Sequence, residues 1–195
     1  MHVILVNLSD RHFEDIFVSL KHVFKARVQR AANVLAAPQA GPRYIRFTSA
    51  DLSSPDALSR LHARFPVKAT ATHYLYQVSL EGKDSQLIAR TRSAFRRARL
   101  TESRNMSRDN SAHQESRSIY VGTSKNMFDR FRSHLGTGTG TTTWGLYLSA
   151  WAVPIGAKFL VEYYEFKDSI DEDIELIEGV LWDSLRPLFG KKGGK

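Results

Sequence analysis

The sequence contains no cysteine, which excludes a disulfide scaffold and a zinc site built on thiolates. It also has no apolar run that approaches the length of a transmembrane helix. The apolar stretch 2–8 has no basic segment before it and is too short for a signal peptide. We therefore expect a soluble, cytoplasmic protein with no membrane partner.

Acidic residues are in the minority, because 28 Lys and Arg face 20 Asp and Glu and leave a net charge of +8. This excess favours an acidic partner, and nucleic acid is the first candidate, since a polyphosphate releases counterions when clustered cations bind it. The hydrophobic share of 42% is enough for a buried core. The length of 195 residues fits one domain, with or without a substantial extension.

Residues 1–72 predict an α/β extension of unknown role. Apolar runs predict strands over 2–8 and 43–47, and helical spacing predicts a helix from about Asp10 and another over 53–65. The first helix carries an apolar stripe that comprises Phe13, Ile16, Phe17, Leu20, Val23 and Phe24.

A basic insertion, residues 83–117, follows a predicted strand over 73–82. It holds eight arginines and one lysine against four acidic residues. Its first half is predicted to be helical, and its polar second half, which lacks periodicity, is predicted to be mobile. A solvated surface helix with a loop and a nucleic-acid arm explain this composition equally well. The candidate nucleic-acid contacts are Arg90, Arg96, Arg97, Arg99, Arg104 and Arg108.

The glycine- and threonine-rich stretch 136–143 lacks the lysine and the spacing of a phosphate-binding loop, so we predict a flexible connection. A helix over 143–152 should follow it, then a strand over 158–166. The final helix is predicted to open with a capping box at Ser169 and to end at Arg186. The side chains of the helix over 143–152 that should face a core are Trp144, Tyr147, Leu148 and Trp151.

The stretch 118–136, SIYVGTSKNMFDRFRSHLG, predicts a strand that ends at Gly122 and a helix from about Lys125. Arg130 and His134 are four residues apart and therefore share a helix face. Such a helix start also presents free N–H groups and a positive dipole end to an anion. Taken alone, the segment is better explained as an exposed basic helix face.

The final helix places Glu178 at the edge of its apolar face, beside Ile174 and Leu181. A carboxylate next to an apolar surface needs a cation, a hydrogen-bond donor or a metal. A glutamate that reaches solvent or pairs with an arginine explains this position as well as a functional residue does.

Residues 120–122, Tyr-Val-Gly, with Arg130 eight residues after the glycine and His134 one turn later, resemble the second half of the GIY-YIG nuclease motif. Upstream, 74–76 (Tyr-Leu-Tyr) resembles the Gly-Ile-Tyr element, with Tyr76 in the position of the tyrosine.

The closing helix resembles that of the same family, because Glu178 stands nine residues before Pro187. The resemblance covers about 73–190 and shows three departures. Tyr74 replaces the first glycine, the basic insertion separates the two hairpin strands, and Gly190 replaces a common asparagine.

The resemblance implies an α/β (α+β) fold with a small antiparallel three-stranded sheet flanked by helices. Its strands would be 73–81, 117–122 and 158–166. The catalytic domain would span 73–195, after the N-terminal extension.

The resemblance further implies a metal-dependent endonuclease. Glu178 would bind one Mg²⁺ or Mn²⁺ ion, and Arg130 would hold the scissile phosphate. Either Tyr76 or Tyr120 would act as base or position the water, and His134 would orient the water or the tyrosine, or protonate the leaving group. Further residues in this assignment are Gly122 as a structural position, with Lys125 and Arg132 as nucleic-acid contacts.

DNA is the expected partner, and a role in restriction, defence or a mobile element fits a small chain of this type. Two alternatives stay open: a catalytically inactive module of the same fold that binds nucleic acid, and an RNA-directed nuclease. Cutting of both strands by one small site would require a dimer or sequential events.

Overall fold

A computed structural model of the chain describes residues 10–36, 42–69, 72–82, 84–138 and 144–193. The side chains of 10–17 are outside this description, as is the predicted strand over 2–8. Within the described ranges, no helix has both the length and the apolar character needed to cross a membrane.

The described residues contain five α-helices and four strands. In chain order they are α1 (Asp10–Ala36), β1 (Arg43–Thr48), α2 (Pro55–His62), β2 (Thr72–Leu80), α3 (Ser85–Thr101), β3 (Ser118–Ser124), α4 (Met127–Leu135), β4 (Lys158–Lys167) and α5 (Asp171–Leu185).

The strands form one antiparallel sheet in the order β1-β4-β2-β3. The predicted α+β class is confirmed, but the expectation of three strands is wrong, because β1 pairs with β4. Ile45 and Phe47 alternate inward from β1, and the Phe47 ring stacks on Phe159 of β4 with ring centroids 5.0 Å apart. The run 43–47 correctly predicted this strand, but the family resemblance begins at about residue 73 and so did not include it in the sheet.

Strand β2 is buried along nearly its whole length because the sheet is covered on both faces. Tyr74, Tyr76 and Val78 belong to the larger core, which α3 and α4 also line. Leu75 points to the opposite face, where Ile174 of α5 packs. The two cores therefore lie on either side of β2, with α4 on one face and α5 on the other.

Helix α1 packs on the smaller core through residues that follow its predicted apolar stripe. Ala31 is buried in the smaller core, and the Arg27 side chain donates to the Glu172 carbonyl at the start of α5. Leu20, Val23 and Phe24 are each more than half exposed, so no described residue covers this part of the stripe.

The basic insertion is built into the larger core. Its predicted helix is confirmed as α3, and Phe95 is fully buried with its ring stacked on Phe189, 3.7 Å between centroids. The predicted mobility of the second half is wrong. Met106 is buried and bridges to Gly145, and the carboxylate of Asp109 accepts a hydrogen bond from Arg96 of α3.

The predicted helix over 143–152 is wrong. Residues 144–157 instead form irregular chain and two short 3-10 turns, Leu148–Ala150 and Val153–Ile155. Tyr147 has a left-handed backbone with φ of 49°, and the Leu146 N–H donates to a histidine side chain. Both features interrupt the hydrogen-bond pattern of a helix.

The predicted capping box of α5 is also wrong. Ile170 occupies the N-cap and makes no side-chain cap bond. The Ser169 hydroxyl instead donates to the Phe166 carbonyl and hydrogen-bonds to His73.

Candidate active site

The two hairpin strands bring two tyrosines together over a glycine. In the β2–β3 register, Tyr76 lies opposite Gly122. A Cβ atom on Gly122 would lie 2.8 Å from the Tyr76 hydroxyl oxygen and 2.7 Å from Cε1 of Tyr120. Gly122 therefore has to lack a side chain for the two phenols to meet, which gives its predicted structural role a steric reason.

Arg130 connects both phenols from helix α4. Its Nε donates to the Tyr76 hydroxyl at 2.9 Å and its Nη2 donates to the Tyr120 hydroxyl at 2.7 Å. Its Nη1 donates to the Trp144 carbonyl at 2.8 Å. A guanidinium carries five N–H groups, so two of those of Arg130 have no hydrogen-bond partner among the described residues. These contacts fix the orientation of the side chain before any ligand binds.

His134 is fully buried one turn after Arg130 and supports Tyr76. Burial, reinforced by the charge of Arg130, holds the pKa of His134 well below its usual range, so the ring is neutral. Its Nδ1 accepts the Leu146 N–H at 3.2 Å. The ring hydrogen is therefore on Nε2, which donates to the Tyr76 hydroxyl at 2.8 Å.

Tyr76 receives two hydrogen bonds on its phenolic oxygen and stays protonated. Burial raises the pKa of Tyr76, and the nearby charge of Arg130 only opposes this shift. Because its oxygen already accepts from Arg130 and His134, its own hydrogen is the part left to interact elsewhere.

Glu178 reaches the same hairpin from helix α5. It is 8% exposed and accepts a hydrogen bond from the Thr123 hydroxyl at 2.9 Å. Burial raises the pKa of Glu178, while the Thr123 hydrogen bond and the charge of Arg130 oppose the rise. Glu178 also acts electrostatically on Tyr76. The charge of Arg130 therefore affects this carboxylate, although no ion pair joins them within the described residues and their helices cover opposite faces of the sheet.

The chain after α5 runs along β3 and then past Glu178. The N–H groups of Leu188 and Phe189 donate to the carbonyls of Ser118 and Ile119, both at 2.9 Å. Further on, a Cβ atom on Gly193 would lie 3.0 Å from Oε2 of Glu178. The end of the described chain therefore packs directly against this carboxylate.

Comparisons with protein-family models, curated proteins and solved structures find no match. We therefore infer a function from the geometry and chemistry of the site alone.

A metal ion at this site would have one protein carboxylate. Among the described residues, no three His, Cys, Asp or Glu side chains come together to hold a metal. Oε2 of Glu178 carries the Thr123 hydrogen bond, and no described hydrogen bond involves Oε1. Mg²⁺ accepts oxygen ligands and commonly keeps several waters, so a single carboxylate fits a water-rich Mg²⁺ or Mn²⁺ site.

Groups at the start of α4 that could bind an anion already have partners within the protein. The helix begins at Met127 rather than Lys125, and the Asn126 side chain caps it by accepting the Asp129 N–H. Lys125 pairs with Asp171 of α5 at 2.8 Å. These contacts favour the exposed basic helix face, which sequence analysis preferred for this segment over an anion site.

The predicted nucleic-acid contacts divide into paired and unpaired arginines. Arg96 pairs with Asp109 at 2.6 Å. Arg104 pairs with Glu102 and lies over the Tyr147 ring at 4.2 Å. Arg132 is exposed, and its Nη1 lies 3.9 Å from Oδ1 of Asp129, which is a weak surface pair. The remaining candidates are exposed and form no ion pair within the described residues: Arg90, Arg97, Arg99 and Arg108.

Two residues of the site were missed by sequence analysis. Thr123 gave no signal, because a threonine at a strand end is ordinary. Trp144 was assigned to the core, but it is 57% exposed and its carbonyl accepts from Arg130. That error follows from the wrong helix prediction, which set the direction of the tryptophan.

Gly190 occupies a backbone position that demands glycine. Its φ is +106°, and a Cβ atom there would lie 2.8 Å from Cε2 of Tyr120. The absence of an asparagine at this position therefore has a steric reason, because any side chain would press on a site tyrosine.

Gly190→Ala is expected to destabilise the fold by about 2–3 kcal/mol, since backbone strain and the Tyr120 contact both oppose the methyl group. Gly82→Ala is the matched control, because Gly82 has φ of +118° but nothing within 4 Å of a Cβ atom. Urea unfolding should show the smaller loss for the control. Equal losses would mean that the Tyr120 contact adds nothing.

Proposed function

We propose that this chain is a metal-dependent endonuclease of the GIY-YIG type that hydrolyses DNA phosphodiester bonds. The observation that carries the proposal is the convergence of Tyr76, Tyr120 and Arg130, with Glu178 close enough to act electrostatically on this group. A surface helix with ordinary charges does not need a guanidinium bonded to two phenols, nor a buried carboxylate beside it.

Arg130 binds the scissile phosphate through the N–H groups that the protein leaves free. A guanidinium fork suits the non-bridging oxygens, where charge develops during hydrolysis. His134 is fully buried, so it acts by holding Tyr76 rather than by touching the substrate. Of the three roles that the sequence left open for His134, we therefore propose that it orients the tyrosine.

Tyr120 is the better candidate for contact with the attacking water. Tyr76 is 1% exposed and points into the core, whereas Tyr120 is 8% exposed and lines a surface cavity. A Mg²⁺ or Mn²⁺ ion held by Glu178 would supply Lewis-acid stabilisation and lower the pKa of a bound water. Tyr120 then orients the water, and Arg130 holds the phosphate.

Plasmid cleavage tests this function. The parent chain should cut or nick plasmid DNA with Mg²⁺ or Mn²⁺, and EDTA should stop it. Glu178→Gln and Arg130→Lys should each lower the rate by roughly 100-fold or more, since each removes charge or geometry needed in the transition state. Glu172→Gln, an exposed carboxylate change on the same helix, should leave the rate unchanged.

Cutting by both site variants at the parental rate would contradict the assignment of the site. Circular dichroism of each variant should show the parental spectrum, so that a lost activity reports on chemistry rather than on folding.

The second candidate is a nucleic-acid-binding module without catalysis. Two contacts favour it: Gly193 packs against Glu178, and all three nitrogens of Arg130 already donate within the protein. In the same assay this candidate predicts DNA binding without cutting in any divalent cation. An RNA substrate included beside the plasmid tests the RNA-directed alternative.

A further inference from the structure

A surface cavity opens beside Tyr120, the tyrosine that we propose contacts the attacking water. Its volume is about 390 Å³. Tyr120 of β3, Trp144, Arg99 of α3, Arg108 and Lys191 all line it. Five separate parts of the chain thus contribute to one cavity next to the candidate active site, and its volume is in the range that holds a small organic ligand.

The charged residues that line this cavity are basic. Arg99, Arg108 and Lys191 line it, and no carboxylate of the described residues does. None of the three takes part in an ion pair among the described residues, in contrast to Arg96 and Arg104, which are neutralised by acids. Three unneutralised cations around one cavity attract a ligand that carries more than one negative charge.

Trp144 gives the same cavity an aromatic surface. Its side chain is 57% exposed, which is unusual for the largest apolar side chain. Its carbonyl accepts a hydrogen bond from Arg130 at 2.8 Å, so its backbone is tied directly to the candidate active site. An exposed indole flanked by cations is the combination that binds a nucleobase and its neighbouring phosphates.

We propose that this cavity is a nucleotide subsite, in which Trp144 stacks on an unpaired base and Arg99, Arg108 and Lys191 bind the adjoining phosphates. The proposal rests on the proposed function, because it places the bound strand next to Tyr120 and Arg130. The ligand is a single-stranded or locally unpaired segment, because a base within an intact duplex is stacked on its neighbours and cannot present its face to an indole.

The test measures binding alone. It uses the full chain with Glu178→Gln in EDTA, so that neither cleavage nor a metal is needed. The probes are a short single-stranded oligothymidylate and an abasic phosphodiester strand of the same length. Trp144→Ala should weaken oligothymidylate binding roughly tenfold or more, because stacking contributes about 1–3 kcal/mol per base, and should leave abasic binding unchanged. Trp144→Phe should retain most of the affinity.

The phosphate contacts have their own comparison. Lys191→Ala or Arg108→Ala should weaken binding of both probes and reduce the slope of log affinity against log salt by about 0.7, the value for one phosphate contact with a single strand. Arg60→Ala is the matched control, since Arg60 of α2 is exposed and does not line the cavity. It should leave affinity and slope unchanged.

A fluorescence measurement checks the stacking independently. Oligothymidylate should quench tryptophan emission, and Trp144→Phe should remove most of that quenching, because Trp151 is only 3% exposed and Trp182 does not line this cavity. Equal affinity of the parent and Trp144→Ala for both probes, or quenching that survives Trp144→Phe, would overturn the subsite.

The failure of the subsite and the failure of the nuclease proposal give different results. Metal-dependent cleavage with no effect of Trp144→Ala on either probe removes the subsite and keeps the nuclease. Trp144-dependent preference for the base-containing probe, in a chain that cuts nothing, supports the subsite and removes the nuclease.

Discussion

Glu178→Gln is expected to stabilise the folded chain at neutral pH while it removes the response to divalent cations. The carboxylate is 8% exposed, and burial raises its pKa. Keeping it ionised in the fold therefore costs free energy, which the neutral amide avoids, and the amide oxygen can still accept from Thr123. We expect a gain of about 0.5–2 kcal/mol in the free energy of unfolding, typical of relieved functional strain.

The sign of the pH dependence follows from the direction of that pKa shift. Because the folded state binds the Glu178 proton more tightly than the unfolded state, stability falls as the pH rises through the two pKa values. Below the unfolded pKa the carboxyl is protonated in both states. The difference between parent and Glu178→Gln should therefore vanish in acid and reach its full size above the folded pKa.

The response of stability to divalent cations should differ between the two proteins. Mg²⁺ or Mn²⁺ at about 100 times its Kd should stabilise the parent by about 2.7 kcal/mol and leave Glu178→Gln unchanged. Thermal unfolding with and without the cation measures both effects, and Glu172→Gln provides the matched control. A cation response that persists in Glu178→Gln would exclude this carboxylate as the ligand.

The elements that sequence analysis placed correctly are those with a strong local signal. The runs 73–82 and 158–166 predicted β2 and β4, the second by its alternating pattern, and the Ser54 cap followed by Pro55 indicates the start of α2. The motif spacing predicted that Tyr120, Arg130 and His134 lie together, because a strand that leads directly into a helix leaves little freedom in their relative position. Tyr76 precedes the basic insertion, and only the family resemblance assigned it to the same site.

The errors arise where distant residues decide the local structure. The helix predicted over 143–152 is lost because Leu146 donates its N–H to His134, a partner that periodicity cannot identify. Residues 102–117 are polar and aperiodic, yet Asp109 is fixed by Arg92 and Arg96 of α3. Polar composition indicates mobility only where the polar groups lack partners.

The fold also changes how the basic insertion can be tested. Its deletion was an obvious way to measure its contribution to DNA binding, but Phe95 is fully buried between Trp151 and Phe189. Removing the insertion would open the larger core, so a loss of binding would report on unfolding. Substitution of single exposed arginines avoids this problem.

Two conservative substitutions in the hairpin should distinguish a tyrosine that stabilises the site from one that takes part in the reaction. Tyr76→Phe removes the acceptor for Arg130 Nε and for His134 Nε2, and so leaves two buried donors without partners. Tyr120→Phe removes only the acceptor for Arg130 Nη2. We expect a loss of about 3 kcal/mol in the free energy of unfolding for Tyr76→Phe and about 1 kcal/mol for Tyr120→Phe.

Cleavage should rank the same two variants in the reverse order. Because Tyr120 lines the cavity and Tyr76 is enclosed, Tyr120→Phe should lower the rate per folded molecule by roughly 100-fold or more, the usual size of a lost proton-transfer group. Tyr76→Phe should cost less, because Arg130 keeps its bonds to Tyr120 and to the Trp144 carbonyl. Urea unfolding and plasmid cleavage on the same preparations give both rankings. If Tyr76→Phe lowers the cleavage rate per folded molecule more than Tyr120→Phe does, the enclosed phenol is the reacting group and the roles of the two tyrosines must be exchanged.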